Sequence, residues 1–273
     1  MGTENRSKGV LMWLGIMSFY LATVLLHVKV GGFINGLFDS LSRGTYNNIV
    51  TAVVLVILIA LGIAIYRNAS SRTLPKGVWL ILGYSALSIF LSFSIFFVIH
   101  IEAVHFIQYG VLAFLLRKVL PSYLTVAILA TLLGAYDELY QYLVLDIRAE
   151  YYDFNDIFLD TTGAGLGLLG YWFFGESVGG GAIRKWWQRL EMVLLIVTVL
   201  LLIIMALMGE FTVNPKGGEP ALFTLFKFAP EGFWHYPGGP YARFHILRPI
   251  PGLLLITTSI YIYGLLDKAP IKR

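Results

Sequence analysis

No cysteine occurs among the 273 residues, and only 13% of them are charged. The first absence excludes a disulfide framework and any thiolate metal site, and it removes the usual clue to redox compartment. The second excludes a pair of ordinary soluble domains, which the length alone would permit, because soluble domains are about 25% charged. The net charge of +4 is too small to read as a nucleic-acid footprint. No HExxH pair, phosphate-cradling glycine loop or nucleophile motif is present, so no metal site, cofactor or particular reaction is indicated. An internal repeat is also missing.

What the chain has in abundance is hydrophobic surface: 58% of its residues are apolar and its mean hydropathy is +0.75. An all-α polytopic membrane protein follows, because open sheet edges cannot be satisfied in lipid. A crossing helix needs roughly 20 apolar residues. Eight spans are predicted, over 10–30, 48–66, 78–99, 104–116, 122–145, 156–175, 190–208 and 251–266. The first resembles a signal peptide, but its apolar run is too long and lacks a small-residue cleavage site, so an uncleaved anchor is expected. The fourth is short enough to be a re-entrant segment. With an N-in, C-in arrangement, the inner segments hold 13 of the 20 Lys and Arg residues, as the positive-inside rule requires. Three regions result: 1–99 with three spans, a polar core at 100–175, and 176–273 with two further spans. Between the last two spans, 209–249 is rich in Gly, Pro and aromatics and is expected to cap the outer membrane face. The inner linker, with Arg184, Lys185, Trp186 and Trp187, suits an interfacial anchor.

Against this apolar background, seven of the 16 acidic residues fall between Asp137 and Asp160. In the fifth span Asp137 and Gln141 are four apart and Glu138 and Gln141 three apart, so all three are neighbours on the helix. In the sixth, Asp156 and Asp160 share a face. The fourth begins near Glu102 and His105, with Tyr109 one turn below. In the N-in arrangement all of these residues lie at one level near the outer surface. Charge at membrane depth costs on the order of 3 kcal/mol, so such residues face a bundle interior or a wet cavity and suggest function. Arg148 is the obvious counter-charge. Gly163 and Gly167 form a small-xxx-small pair that lets a neighbouring helix approach closely.

Three pieces of this region resemble the VanZ-like family, named for a teicoplanin-resistance protein. They are HFIQYGVLAFLL at 105–116, DELYQ at 137–141, and Arg148 followed by DFNDIFLDTTGAGLG at 153–167. Carried over by position, the family's polar residues fall on His105, Tyr109, Asp137, Glu138, Gln141, Arg148, Asp156, Asp160 and Gly163, with Asp153 as the other candidate for the place given to Asp156. One departure is Glu102-Ala103, where the family often has Asp-Lys. The resemblance implies an integral, multi-pass protein of the cell envelope. It leaves the reaction open, and with it whether any resistance follows.

Each polar residue also has a purely structural reading. Asp137, Glu138, Gln141 and Arg148 could be an ion-pair network that fixes helix packing, although such networks cost desolvation and helix association does not need them. His105 could be a histidine satisfied by a carbonyl or carboxylate, or a proton-handling group. Three functional classes stay open. One is binding or handling of a lipid-linked or glycopeptide-type envelope ligand. Another is an accessory subunit of a larger membrane complex. The last is an intramembrane acid/base enzyme, with Glu138 or Asp137 as base, His105 as proton partner and Arg148 as anion clamp. The expected partners are membrane lipids, a lipid-linked envelope precursor and other membrane proteins, and not nucleic acid.

Overall fold

The computed structural model describes residues 3–37, 40–69, 74–145, 150–175, 189–213, 221–227, 232–236 and 243–269. Arg148 and the anchor residues Arg184, Lys185, Trp186 and Trp187 lie outside these. The described residues form eight α-helices: α1 (Thr3–Leu37), α2 (Arg43–Ala69), α3 (Lys76–Leu91), α4 (Val104–Val119), α5 (Tyr123–Tyr140), α6 (Phe154–Phe174), α7 (Leu190–Leu207) and α8 (Pro249–Gly264). The protein is all-α and multi-span. Among the described residues five stretches are long and apolar enough to cross a membrane: Gly9–Leu26, Arg43–Arg67, Lys76–Phe96, Leu190–Leu207 and Pro249–Lys268. The three helices that contribute none of them, α4, α5 and α6, form the interior. The α4 helix has 16 residues, about 24 Å at 1.5 Å per residue. The other two carry polar residues along part of their length.

Helix ends follow from local chemistry. Ser122 caps α5 by accepting from the Thr125 amide at 3.2 Å, and Asp267, beyond α8, accepts from the Tyr123 and Leu124 amides of the same helix start. Asp153 caps α6 through the Asn155 and Asp156 amides. Proline in the first turn of α8 occupies a position where the missing N–H has no helical partner in any case. A wide turn at Ser92–Phe96 ends α3, and Phe97 is extended. A 3-10 turn, His100–Ala103, then leads into α4.

The centre of the bundle is α6, and each of its faces meets a different helix. Toward α4 the contact is backbone on backbone: a methyl group on Gly163 would lie 2.8 Å from the His105 carbonyl oxygen and the Phe106 Cα, and one on Gly167 would strike the Gly110 backbone. Toward α5, the Thr161 hydroxyl lies 3.0 Å from that of Thr131. Toward α8, the Tyr263 ring covers Gly165. The Trp172 indole donates to the Ala269 carbonyl at 2.8 Å. By contrast, only Tyr46 is buried in the apolar stretch of α2, and little is in α1 or α7.

The 209–249 region contributes two short strands, β1 (Phe211–Thr212) and β2 (Phe223–Thr224), paired in parallel. Its Phe223, Leu225, Phe226, Phe244, Ile246 and Leu247 are buried together with Phe96, Phe106, Tyr152 and Phe158. The segment covers the end of the bundle where α4 and α6 begin and α5 finishes. Asn155 fastens it: its amide nitrogen donates to the His245 carbonyl at 2.7 Å, and its oxygen accepts from the Leu247 amide at 2.8 Å.

Candidate functional site

At this end three helices converge through their polar residues. His105 opens α4 and is buried, as is Asp160 in the second turn of α6. Nδ1 of His105 lies 2.7 Å from Asp160 Oδ1. With the carboxylate accepting, Nδ1–H donates, and Nε2 is left on the opposite side of the ring. There it faces Asp156 Oδ2 at 3.8 Å, beyond direct hydrogen-bonding distance. The Asp156 side chain is 21% exposed, whereas those of His105 and Asp160 are 2% and 0% exposed. Asp156 is thus the approach to His105, and Asp160 fixes the ring from behind. An imidazole oriented by a buried carboxylate through one nitrogen can exchange a proton through the other.

The second half of the cluster is built on α5. Tyr109, one turn below His105, donates to Asp137 Oδ2 at 3.2 Å. Gln141 donates to Asp137 Oδ1 at 3.3 Å and to Glu138 Oε1 at 3.0 Å. Asp137 and Glu138 are both buried. The halves meet at Gly134, one turn before Glu138: a methyl group there would sit 2.6 Å from Asp160 Oδ2. That oxygen is enclosed and has no hydrogen-bond partner among the described residues.

Asp153 and Asp156 have separate places, as cap of α6 and as neighbour of His105. Burial and the neighbouring Asp156 carboxylate push Asp153 up to about 8. Glu102, in the turn before α4, accepts from the Val98 and Ile99 amides at 3.1 and 3.2 Å. It too is held well above the usual carboxylate range, by burial and then by Asp156 and Asp153. The carboxylates at this end of the bundle crowd one another. Among the described residues no three of the His, Asp and Glu side chains converge as metal ligands would.

The structure therefore brings together His105, Tyr109, Asp137, Glu138, Gln141, Asp156 and Asp160, and puts Gly163 and Gly167 where α4 crosses α6. Arg148 falls outside the described residues. The carboxylate at Nδ1 of His105 is Asp160 of α6, a residue to which the sequence reading gave no acid/base role. Sequence reasoning missed Asn155 and Tyr152, whose hydroxyl donates to the Ala135 carbonyl of α5 at 2.6 Å. Both act through partners distant in sequence, and no local spacing marks them.

Fold and site together define a class: a multi-span membrane protein with a carboxylate-rich polar cluster enclosed between three central helices. Residues 48–175 match the model of the VanZ/LLP1 family, and over this segment the chain is similar to VanZ-like membrane proteins. The match holds every residue of the cluster, while the 209–249 cap, α7 and α8 lie outside it. No curated protein and no solved structure matches the chain.

Proposed function

We propose that this VanZ-like protein binds or handles an amphiphilic envelope ligand, lipid-linked or of glycopeptide type, at an outward-facing polar cluster. In this reading all eight helices cross or enter the membrane, with both ends of the chain inside. The observation that carries it is the pairing of buried His105 with Asp160, approached through the partly exposed Asp156. Packing alone does not require a buried histidine between two carboxylates, since apolar residues and small-residue contacts hold helices together in lipid. The orientation is supported by charge: Arg117, Lys118 and Lys268 lie at the end opposite the acidic cluster, as cytoplasmic residues do.

The test is native mass spectrometry of the full chain purified in mild detergent, compared with Asp156→Asn and Glu138→Gln. The wild type is expected to carry a bound amphiphile that both variants lose while keeping their elution profile. Retention of the same amphiphile at the same occupancy in both variants would overturn the reading.

A second reading, an accessory subunit of a larger membrane complex, is favoured by α2. In its 25-residue apolar stretch Tyr46 alone is buried, and the rest stays open to a neighbouring helix. A partner membrane protein that co-purifies in stoichiometric amount, and is lost when α2 is replaced by another apolar helix, distinguishes it.

A further inference from the structure

The basic end of the bundle holds a charge that no described residue balances. Arg117, in the last turn of α4, is only 6% exposed. Its guanidinium lies over the Tyr123 and Tyr171 rings. Nη1 donates to the Leu120 carbonyl at 2.9 Å. Nε is enclosed without an acceptor, and so is the Tyr123 hydroxyl. Among the described residues Arg117 has no ion pair. Arginine stays charged in any protein environment, and a charge withdrawn from water without a counter-ion is costly. Two ring faces and one carbonyl offset part of that cost and leave the charge unmatched.

A carboxylate stands close by, but its acceptors are taken. Asp267 receives the Ser122 hydroxyl at 2.8 Å and the Tyr123 and Leu124 amides at 2.8 and 3.1 Å. A second cation adds to the first. The Lys118 ammonium is 5.5 Å from the centre of the Phe114 ring, which meets that of Tyr171 edge-on at 5.2 Å. Tyr123, Tyr171 and Phe114 thus form an aromatic ledge from α4, α5 and α6 that carries both cations. The ledge is open at its edge: Nη2 of Arg117 is neither bonded nor enclosed, and Lys118 is exposed.

We propose that this ledge binds the phosphate group of a membrane phospholipid, at the open Nη2 edge of Arg117, with Lys118 supplying the second positive charge. Phosphate suits a guanidinium because its oxygens accept charge-assisted hydrogen bonds. The lipid source follows from position. Lys118 continues the α4 face that carries the exposed Ile107 and Val111, so the tails of a lipid lie along that face while its headgroup meets the two cations at the helix end. The site is at the opposite end of the bundle from His105 and does not depend on the ligand reading made there.

The test titrates the delipidated full chain in dodecyl maltoside with dioleoyl phosphatidylglycerol, dioleoylglycerol and inorganic phosphate, read by native mass spectrometry and thermal melting. Phosphatidylglycerol is expected to bind saturably and raise the melting midpoint. Dioleoylglycerol, which has the same chains without the phosphate, should bind about tenfold more weakly or worse, and Arg117→Gln should cost phosphatidylglycerol a similar factor. Lys118→Gln should weaken that lipid severalfold without moving the lipid-free midpoint, because the side chain is exposed. Equal affinity for the two lipids overturns phosphate recognition. Undiminished phosphatidylglycerol affinity in both variants overturns the placement on this ledge. Saturation by inorganic phosphate, with the phospholipid no tighter, overturns the lipid source. If Arg117→Gln lowers the lipid-free midpoint, Lys118→Gln decides alone, and unchanged affinity there overturns the site.

Discussion

At the scale of single residues, the absence of side chains matters as much as their presence. Gly163 and Gly167 on α6 and Gly110 on α4 put backbone against backbone, and this contact sets the distance at which His105 reaches Asp160. Gly167→Ala is expected to destabilise by roughly 1–3 kcal/mol, because the added carbon has no room and the helices must part. Gly170→Ala is the control: nothing lies within 4 Å of the carbon it would add, and alanine is the better helix former by roughly 0.5–1 kcal/mol. Thermal melts in detergent should fall for the first variant and hold or rise for the second. The sequence makes part of this legible. Helical spacing alone sets Gln141 beside Asp137 and Glu138, and a glycine pair four apart signals close approach. The partner of His105 is less legible: it stands 55 residues away, and Asp137, Glu138, Asp156 and Asp160 are all chemically plausible until the helices are packed.

At the scale of elements, the chain divides into three interior helices and an apolar surround. Five helices are readable as spans from hydropathy, because a lipid-facing helix must be apolar along most of its length. The interior ones are short or polar in places, which is why their spans are the hardest to assign. The cap was readable as loop chemistry from its Gly, Pro and aromatic content. Its paired strands and its attachment to α6 were not, because they depend on one asparagine meeting residues 90 and 92 positions away. Asn155→Ala leaves the Leu247 amide and the His245 carbonyl without their side-chain partner, at a cost of about 1–3 kcal/mol for each buried group left unpaired. The 221–247 segment should then be cut by protease well before the helices melt. If proteolysis of the variant matches that of the wild type, Asn155 does not hold the cap.

At the scale of the whole molecule, the two ends differ in charge and in their response to pH. Near the basic end Arg117 lies over the Tyr123 and Tyr171 rings, 4.3 and 5.2 Å from their centroids, and donates to the Leu120 carbonyl. At the acidic end, Asp153 is pushed up to about 8, above its ordinary 3.8, and Glu102 is raised as well. Groups with a raised folded-state value bind protons more tightly in the fold than in the unfolded chain. Their contribution is complete below about pH 4 and is lost as pH rises through about 8. The midpoint of thermal unfolding in detergent should therefore fall between pH 5 and pH 8.5. Asp153→Asn, which cannot ionise there, should flatten that dependence, and an equally steep profile in the variant would refute the assignment.

The Asn155 joint bears on how the protein is made. A ribosome delivers the matched segment, 48–175, well before residues 245–247 emerge. Until then the amide of Asn155 waits, and Phe154, against which Gly252 of α8 packs, stays uncovered. The first six helices are consequently made before their cover, and the last third of the chain must fold back before this end of the bundle acquires a rim.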